Sequence, residues 1–437
     1  MTNNNSTFCG DEPTWANACV GHNGSPSYIE YSSGFSQAAN LLIDQVISQQ
    51  GLDYSVDEFV YPVCFNMRHS VELRLKGAIE ILQKIGKMKG VKLLFNLSGS
   101  HDIKIIWEFF KTESEKIDSR YVDINKKLEP TILDIAEVDS TGQTFRYPIS
   151  SESQKHLTEI SVINFIVLKE KFHELENHLE LLHRINIYLY DEYYQGTFTK
   201  KLSRAELFRL AKELPPKNTW GEPHFDLTKD SLKKTYNLSS NDLSKAITII
   251  INHYEMSSFV GILTPLLGVT KEEIITFLDE WVKLHKKKEY NYENGAGVIE
   301  VDIKDSLRQM HNDYKQLSKS WNVISETLTP EILAGLKALF YFARDKEFSE
   351  SYISTYEYML KESKIYFEDS VDYVKRSFSH LFEKTNFLHN VLVSLYFLGY
   401  SILSEELIEH YDVKKTLPLI ERARTRELFQ KPDFCGY

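Results

Sequence analysis

The sequence has few of the residues that indicate a secreted, metal-bound or membrane-spanning protein. Only four cysteines occur among 437 residues, at positions 9, 19, 64 and 435, and none is spaced as a CxxC pair. This spacing argues against a zinc site, and so few cysteines without a signal peptide favour a reducing cytoplasm. No apolar run approaches the roughly 20 residues that span a bilayer, so we expect no membrane segment.

Several common catalytic motifs are also missing. The chain contains no GxxxxGK[ST] loop, no GxGxxG after a strand, no HExxH and no GxSxG. The usual kinds of NTPase, dehydrogenase, zincin and serine hydrolase are therefore excluded, and no cofactor or metal is predicted. The formal net charge of −11 argues against a protein that coats nucleic acid non-specifically, although it leaves a local basic groove open.

What the chain does contain is helical periodicity and many aromatic residues. With 25 Tyr and 25 Phe against 12 Pro and 19 Gly, it is typical of an ordered, all-α protein with sizeable cores. We expect a mobile segment over 1–29, a helical bundle over 30–195, a connecting helical region over 196–302 and a helical domain over 303–437. A Pro-rich boundary lies near 213–235, and a flexible Gly-Ala-Gly break lies at 295–297.

Individual helix ends follow from capping patterns. Ser203 with Glu206 forms a capping-box sequence, and Ser239 and Thr329-Pro330 are typical of further helix starts. The run 387–403 is apolar on nearly all sides, which predicts a buried central helix. Near it, Arg376 and His380 lie four residues apart, and we interpret them as part of an ordinary amphipathic helix.

The stretch 61–81 carries the most concentrated chemistry. It is predicted to be a helix that starts just after Pro62, with an apolar face at Cys64, Met67, Val71, Leu75, Ala78 and Leu82. Beside this face runs a stripe of ionisable residues, namely Arg68, His69, Glu72 and Lys76. Because residues three or four apart on a helix are neighbours, Glu72 can contact each of the other three.

Two further segments carry candidate side chains. Ser100 is predicted to be the N-cap of a second helix, with His101 and Asp102 in its first turn. The loop 136–150 presents Phe145-Arg146-Tyr147-Pro148, in which the residue before proline favours an extended backbone. Arg146 then either clamps the loop onto the helices or points into a site.

These three segments together carry a resemblance to a known class. Residues 68–76 and 100–104 resemble the HEPN-like helical bundles (higher-eukaryote and prokaryote nucleotide-binding). The chain also looks like a group of uncharacterised bacterial proteins that combine such a helix, a His-Asp helix start and a Phe-Arg-Tyr-Pro loop. The resemblance covers about residues 30–190.

The resemblance implies a function in bacterial stress or antiphage defence. Many HEPN proteins are metal-independent RNases of toxin or antiviral systems, others are non-catalytic binding or assembly modules, and the bundles often pair as homodimers. Their usual motif separates Arg from His by four to six residues, whereas Arg68 and His69 are adjacent here. The expected partners are therefore RNA or a nucleotide, a protein of a defence system, and a second copy of the chain.

Two interpretations of the cluster remain open. In the catalytic one, His69 or His101 is the base, Arg68 or Arg146 neutralises phosphate charge, and Glu72 or Asp102 orients the imidazole. Lys76 and Tyr147 would then contact the RNA substrate. In the structural one, the other charged residues of the helix form a partly buried ion-pair ladder, His69 caps a loop, and Arg146 fixes the Phe-Arg-Tyr-Pro turn. The second interpretation fits a non-catalytic scaffold that binds a partner protein.

Overall fold

The chain is all-α wherever its structure is described. The computed structural model describes residues 5–149, 156–158, 160–285, 303–413 and 418–437, and these form helices and connecting loops without a β-strand. The chain divides into two compact units, Met1–Gly196 and Thr197–Tyr437. The predicted all-α fold class is confirmed. The predicted Gly-Ala-Gly break at 295–297 lies outside the described residues.

The described part of the N-terminal unit contains five α-helices, of which α2 is the longest and the central one. Its helices are α1 (Tyr28–Ser48), α2 (Val56–Met88), α3 (Ile103–Ile117), α4 (Tyr121–Asp139) and α5 (Phe165–Tyr194). Helix α2 contacts α1, α3 and α5, and its buried side chains include Val71, Leu75 and Leu82. The predicted apolar face of α2 therefore lies in the core of this unit.

The predicted start of α2 just after Pro62 is wrong, because the helix begins at Val56 and Pro62 lies inside it. A proline within a helix lacks the N–H that would bond the carbonyl four residues earlier. Here Pro62 is exposed, so the unpaired carbonyl of Glu58 can be hydrated instead. The two acidic residues in the first turn, Asp57 and Glu58, favour the earlier start through the helix dipole.

Helix α1 starts earlier than the periodicity of apolar residues predicts. The first sustained apolar periodicity predicts a helix from about residue 36, whereas α1 begins at Tyr28. The cause is a capping box, in which Ser27 Oγ accepts from the N–H of Ile29 at 3.1 Å and the Ser27 N–H donates to the Glu30 carboxylate at 2.6 Å.

The C-terminal unit contains the remaining helices. They are α6 (Arg204–Glu213), α7 (His224–Thr235), α8 (Ser240–Asn252), α9 (Tyr254–Phe259), α10 (Lys271–His285), α11 (Ile303–Ile324), α12 (Pro330–Phe342), α13 (Glu350–Asp369), α14 (Val371–Phe382), α15 (Phe387–Phe397), α16 (Ser401–His410) and α17 (Pro418–Arg424). The predicted N-caps Ser203, Ser239 and Thr329 are confirmed. The Pro-rich segment 213–235 lies within this unit.

The predicted buried helix of this unit is shorter than its apolar run. Helix α15 is buried on nearly all sides, as expected, but it ends at Phe397 and α16 begins at Ser401. Gly399 separates them with a φ of +87°, a backbone conformation that side chains with a Cβ disfavour. Within the described residues, no helix combines the length and apolarity needed to cross a membrane.

Candidate functional site

The ionisable stripe of α2 forms a buried cluster of three charged residues, which we call the inner cluster. Arg68, Glu72 and Lys76 are 3%, 2% and 4% exposed. One oxygen of the Glu72 carboxylate accepts from Arg68 Nη1 at 2.5 Å, and the other accepts from Lys76 Nζ at 2.8 Å. The helical spacing of four residues therefore produces the contacts predicted from the sequence.

Arg68 also bonds to three backbone carbonyls in two other segments of the chain. Its Nε donates to the carbonyl of Asp139 at 2.9 Å, and its Nη2 donates to the carbonyls of Ser140 at 2.8 Å and His101 at 2.5 Å. With the bond to Glu72, every guanidinium nitrogen has an acceptor. Because a phosphate would have to displace these bonds, Arg68 is suited to holding the C-terminal end of α4 and the segment before α3 rather than to binding a substrate.

Gly142 makes room for the Arg68 guanidinium. Its φ is +77°, and a Cβ built there would lie 3.0 Å from Arg68 Nη1. Both the left-handed backbone and the close approach require glycine at this position. The turn after α4 is thus shaped around the arginine.

The charge state of Glu72 is fixed by its neighbours. Burial by itself would raise the pKa of the carboxyl, but His69, Lys76 and Arg68 lower that pKa well below its ordinary value. Glu72 is therefore an anion at neutral pH. A buried carboxylate that stays charged can orient any imidazole that reaches it.

Two histidines reach Glu72 from more accessible positions. His101 Nδ1 lies 3.0 Å from Glu72 Oε1, and the His101 side chain is 62% exposed. His69 Nδ1 lies 3.8 Å from Glu72 Oε2, and its side chain is 29% exposed. A carboxylate on one ring nitrogen favours the proton there, which leaves Nε2 of His101 able to accept a proton from a ligand.

Asp102 has a different position from the one predicted. Helix α3 begins at Ile103, so His101 and Asp102 precede its first turn, and Ser100 is not its N-cap. Asp102 itself is the N-cap, since its Oδ1 accepts from the backbone N–H groups of Lys104 at 2.9 Å and Ile105 at 3.1 Å. Its carboxylate satisfies the helix end, and Glu72 is the carboxylate that contacts His101.

Arg146 and Tyr147 lie on an exposed aromatic surface beside the inner cluster. The Arg146 guanidinium lies 5.5 Å from the ring centre of Phe65 and 5.3 Å from that of Tyr147. The Phe65 ring in turn stacks on His69, with centroids 5.7 Å apart. Arg146 and Tyr147 are exposed, so the predicted Phe-Arg-Tyr-Pro loop presents its polar groups to solvent.

These contacts connect Tyr147, Arg146, Phe65 and His69, and Glu72 connects His69 to His101. We call this set of five side chains the outer strip: Tyr147, Arg146, Phe65, His69 and His101. The strip rests on Glu72, which contacts both histidines. Of the eight predicted site residues, four therefore belong to the outer strip, three to the inner cluster, and Asp102 to neither. The structure brings Glu72 within contact of both candidate bases.

A cleft opens next to the outer strip. Its volume is about 760 Å³, and its walls include Asp57 and Tyr61 from α2 together with Phe145, Arg146 and Tyr147. The size matches that of small-molecule and nucleotide sites, and the exposed rings and the guanidinium can stack on planar groups. Beneath it, an apolar cavity of about 360 Å³ is lined by Phe145, Cys64 and Met67 among others.

The apolar side of this site includes an unreactive thiol. Burial raises the pKa of Cys64 to about 12, with a smaller contribution from the charge of Asp139. A thiol with so high a pKa is almost fully protonated at neutral pH and is a poor nucleophile. Cys64 is therefore a core residue of α2, as its position on the apolar face predicted.

Three important residues were missed by the sequence reasoning. Phe65 lies four residues before His69, so the helical spacing alone could have placed it on the strip. Tyr61 lies one further turn back on α2 and lines the cleft. Gly142 gives no such signal, because its role depends on a guanidinium that is 74 positions away in the chain.

Comparisons with known proteins add no relatives. No family model, curated protein or solved structure matches this chain. The geometry of the site and the resemblance of its three segments are therefore the grounds for proposing a function.

Proposed function

We propose that this protein is a cytoplasmic RNA-binding component of a bacterial stress or antiphage-defence system, with a HEPN-like N-terminal unit that contacts RNA through the outer strip. The bacterial and defence context comes from the HEPN-like resemblance of residues 68–76, 100–104 and the Phe-Arg-Tyr-Pro loop. The observation that supports RNA as the ligand is the exposed Arg146 guanidinium between the rings of Phe65 and Tyr147.

Such an arrangement suits single-stranded RNA. Unstacked bases bind on aromatic side chains and on the planes of guanidinium groups, and a cation beside them neutralises the phosphates. The net charge of −11 opposes binding elsewhere on the surface, so the interaction has to be local. The outer strip combines stacking surface, positive charge and exposure in one place.

The test is RNA binding by the full chain. We expect a short fluorescein-labelled single-stranded RNA to bind, and we expect Tyr147→Ala to weaken binding about fivefold or more because base stacking contributes about 1–3 kcal/mol. Arg146→Gln should weaken it as well, whereas Lys127→Gln should not. Lys127 is an exposed cation on α4 of the same unit, so this control removes equal charge away from the strip.

Metal-independent RNA cleavage is the second candidate, because Glu72 holds His101 through Nδ1 at 3.0 Å. In this reaction His101 Nε2 takes the proton of the ribose 2′-hydroxyl, and the 2′-oxygen attacks the adjacent phosphorus. The bond to the 5′-oxygen breaks, that oxygen takes a proton from water, and a 2′,3′-cyclic phosphate remains. Arg146 would stabilise the additional negative charge of the phosphate.

Cleavage is tested in the presence of EDTA. If His101 is the base, His101→Asn abolishes the cyclic-phosphate product while RNA binding persists. His173→Asn is the matched control, because it removes an exposed histidine of α5. Binding without cleavage in the wild type would assign the protein to the sensor class. An absence of both would favour the alternative, a helical scaffold that binds a protein partner of the defence system.

Self-association belongs to the same proposal. HEPN-like bundles often pair, and a two-fold axis could bring the Arg68–His69 segments of two subunits together. Light scattering of the full chain measures this directly. A dimer whose RNA affinity falls on dilution to the monomer would support a shared site, and a monomer of unchanged affinity would contradict it.

A further inference from the structure

A second polar cavity lies in the C-terminal unit, among three helices. Its volume is about 510 Å³, and it is lined by Lys337 and Tyr341 from α12, Tyr366 from α13, and Arg376, Ser377 and His380 from α14. Arg376 and His380, which the sequence placed on an ordinary helix face, are exposed on this side of α14. The proposed RNA site of the N-terminal unit does not involve any of these residues.

The cavity is lined by two cations, Lys337 and Arg376, and by one carboxylate, Glu362. Lys337 is buried and donates to its carboxylate partner Glu362 at 2.8 Å, while its Nζ lies 5.5 Å from the centre of the Tyr366 ring. Arg376 lies 5.7 Å from the centre of the Tyr373 ring and has no carboxylate partner in the described part of the chain. A guanidinium held over a ring and left without an anion is suited to a phosphate.

One buried hydroxyl on the wall of the cavity has no partner. Ser377 is 9% exposed, and its Oγ makes no hydrogen bond within the described residues. A buried hydroxyl without a partner is unfavourable, and most such groups in folded proteins are satisfied. The Ser377 Oγ has almost no accessible surface, so a rotation of this side chain would be needed for it to donate to an acceptor oxygen of a ligand beside Arg376.

Aromatic side chains form much of the remaining wall. The rings of Tyr366 and Tyr373 lie nearly parallel, with centroids 6.3 Å apart, and Tyr341 Oη lies 3.5 Å from His380 Nε2. These tyrosines offer ring surface to a planar heteroaromatic group. The cavity therefore provides contacts for an aromatic base as well as for a phosphate.

We propose that this cavity binds a mononucleotide, with its phosphate at Arg376 and Ser377 and its base against the tyrosines. A volume of about 510 Å³ fits a small molecule and is too small for a nucleic-acid strand to pass through as a ligand. The three tyrosines distinguish a nucleotide from inorganic phosphate. This site is independent of the proposed RNA-binding function.

The test is isothermal titration of the full chain with AMP and with GMP, each against ribose 5-phosphate and inorganic phosphate. We expect at least one of the two nucleotides to bind about tenfold or more tightly than the two probes without a base. Arg376→Gln should weaken that binding about tenfold or more, as expected for a lost charge-assisted hydrogen bond. Ser377→Ala should weaken it about fivefold without lowering thermal stability, because the variant removes an unsatisfied buried group.

Two control variants distinguish binding at this cavity from a general effect of positive charge and from binding at the outer strip. Lys375→Gln removes one positive charge from the same turn of α14, but its side chain does not line the cavity. Arg146→Gln alters the N-terminal unit. Both variants should bind the nucleotide as the wild type does. The proposal is overturned if neither nucleotide binds, if phosphate binds as tightly, or if either control weakens binding as much as Arg376→Gln.

Discussion

Two buried arginine–carboxylate clusters of the N-terminal unit have similar chemistry but different access to solvent. In the inner cluster, Glu72 is buried but also contacts His101, which is largely exposed. In the second, which we call the closed cluster, Arg120 bonds to Asp118 and to Glu192 at 2.5–2.9 Å, and Tyr193 donates to Asp118 at 2.9 Å. These four side chains are all buried.

The difference shows which feature marks a candidate site. Buried ion pairs stabilise particular arrangements of helices in both clusters, so an arginine and a glutamate in the core do not indicate function by themselves. What distinguishes the inner cluster is that its carboxylate holds an exposed imidazole, His101, and also contacts His69, which stacks on the half-buried ring of Phe65. If this is correct, substitutions in either cluster should destabilise the protein, but only substitutions at the inner cluster and its histidines should affect RNA binding or cleavage.

The largest effects should come from removing either buried arginine. Arg120→Met leaves two buried carboxylates without their cation. Arg68→Met leaves Glu72 with Lys76 as its remaining buried cation and removes the donor to three backbone carbonyls. Both variants should therefore lower the free energy of unfolding by about 3–5 kcal/mol. Urea denaturation followed by circular dichroism measures this. Arg146→Met, which replaces an exposed arginine, should change it by less than about 0.5 kcal/mol. An Arg68 variant as stable as the wild type would show that the inner cluster is not structural.

A smaller loss of stability is expected from a substitution in the turn that encloses Arg68. Gly142→Ala should destabilise the protein by about 1–2 kcal/mol, because alanine disfavours the left-handed backbone at this position and its Cβ would press on the guanidinium. Gly90→Ala is the comparison, since Gly90 also has a positive φ but has open space around it. If the two variants lost equal stability, the contact with Arg68 would have no measurable effect.

The next two variants each alter a side chain that contacts a carboxylate of one cluster, Tyr193 in the closed cluster and His101 beside the inner cluster. Tyr193→Phe removes a buried hydroxyl that donates to Asp118, so it should destabilise by about 1 kcal/mol and leave RNA binding unchanged. His101→Asn alters a largely exposed side chain, so its effect on stability should stay below about 0.5 kcal/mol, and any RNA cleavage by the wild type should be lost. The reverse pattern would place the functional group in the closed cluster.

The smallest effect should be the change of stability with mild acid. The pKa of Glu72 in the folded protein lies below its ordinary value of about 4.3, so the folded state binds fewer protons than the unfolded state in acid. The stabilisation is complete above that ordinary value and decreases as the pH falls toward the folded pKa. Between pH 6 and pH 4 the wild type should therefore lose more stability than Glu72→Gln. Equal losses in urea denaturation would contradict a lowered pKa.

The local parts of this structure follow from the sequence. Arg68, Glu72 and Lys76 are spaced by one helical turn, and Ser203 with Glu206 has a capping pattern, so their contacts are determined by residues a few positions apart. The all-α class follows from the same periodicity. Such predictions succeed because the interacting groups belong to one helix.

The long-range contacts could not be predicted in this way. Arg68 bonds to backbone carbonyls of Asp139 and Ser140, more than 70 positions away, and a carbonyl partner has no distinctive side chain. Arg120 pairs with Glu192 across α4 and α5, and nothing in either local pattern indicates that contact. The start of α2 before Pro62 could not be predicted, because proline usually marks the beginning of a helix. Here proline is tolerated inside the helix, since the carbonyl that lacks an N–H partner is on the exposed side of α2.

The most direct test of the outer strip is to map where RNA touches the full chain. Ultraviolet irradiation crosslinks bases to the aromatic side chains on which they stack, and mass spectrometry identifies the crosslinked residues. We expect crosslinks at Tyr147, Phe65 or Tyr61, and we expect them to be lost in Arg146→Gln but not in Lys127→Gln. Crosslinks confined to other surfaces, or equal crosslinking in the two variants, would contradict the outer strip as the RNA-binding surface.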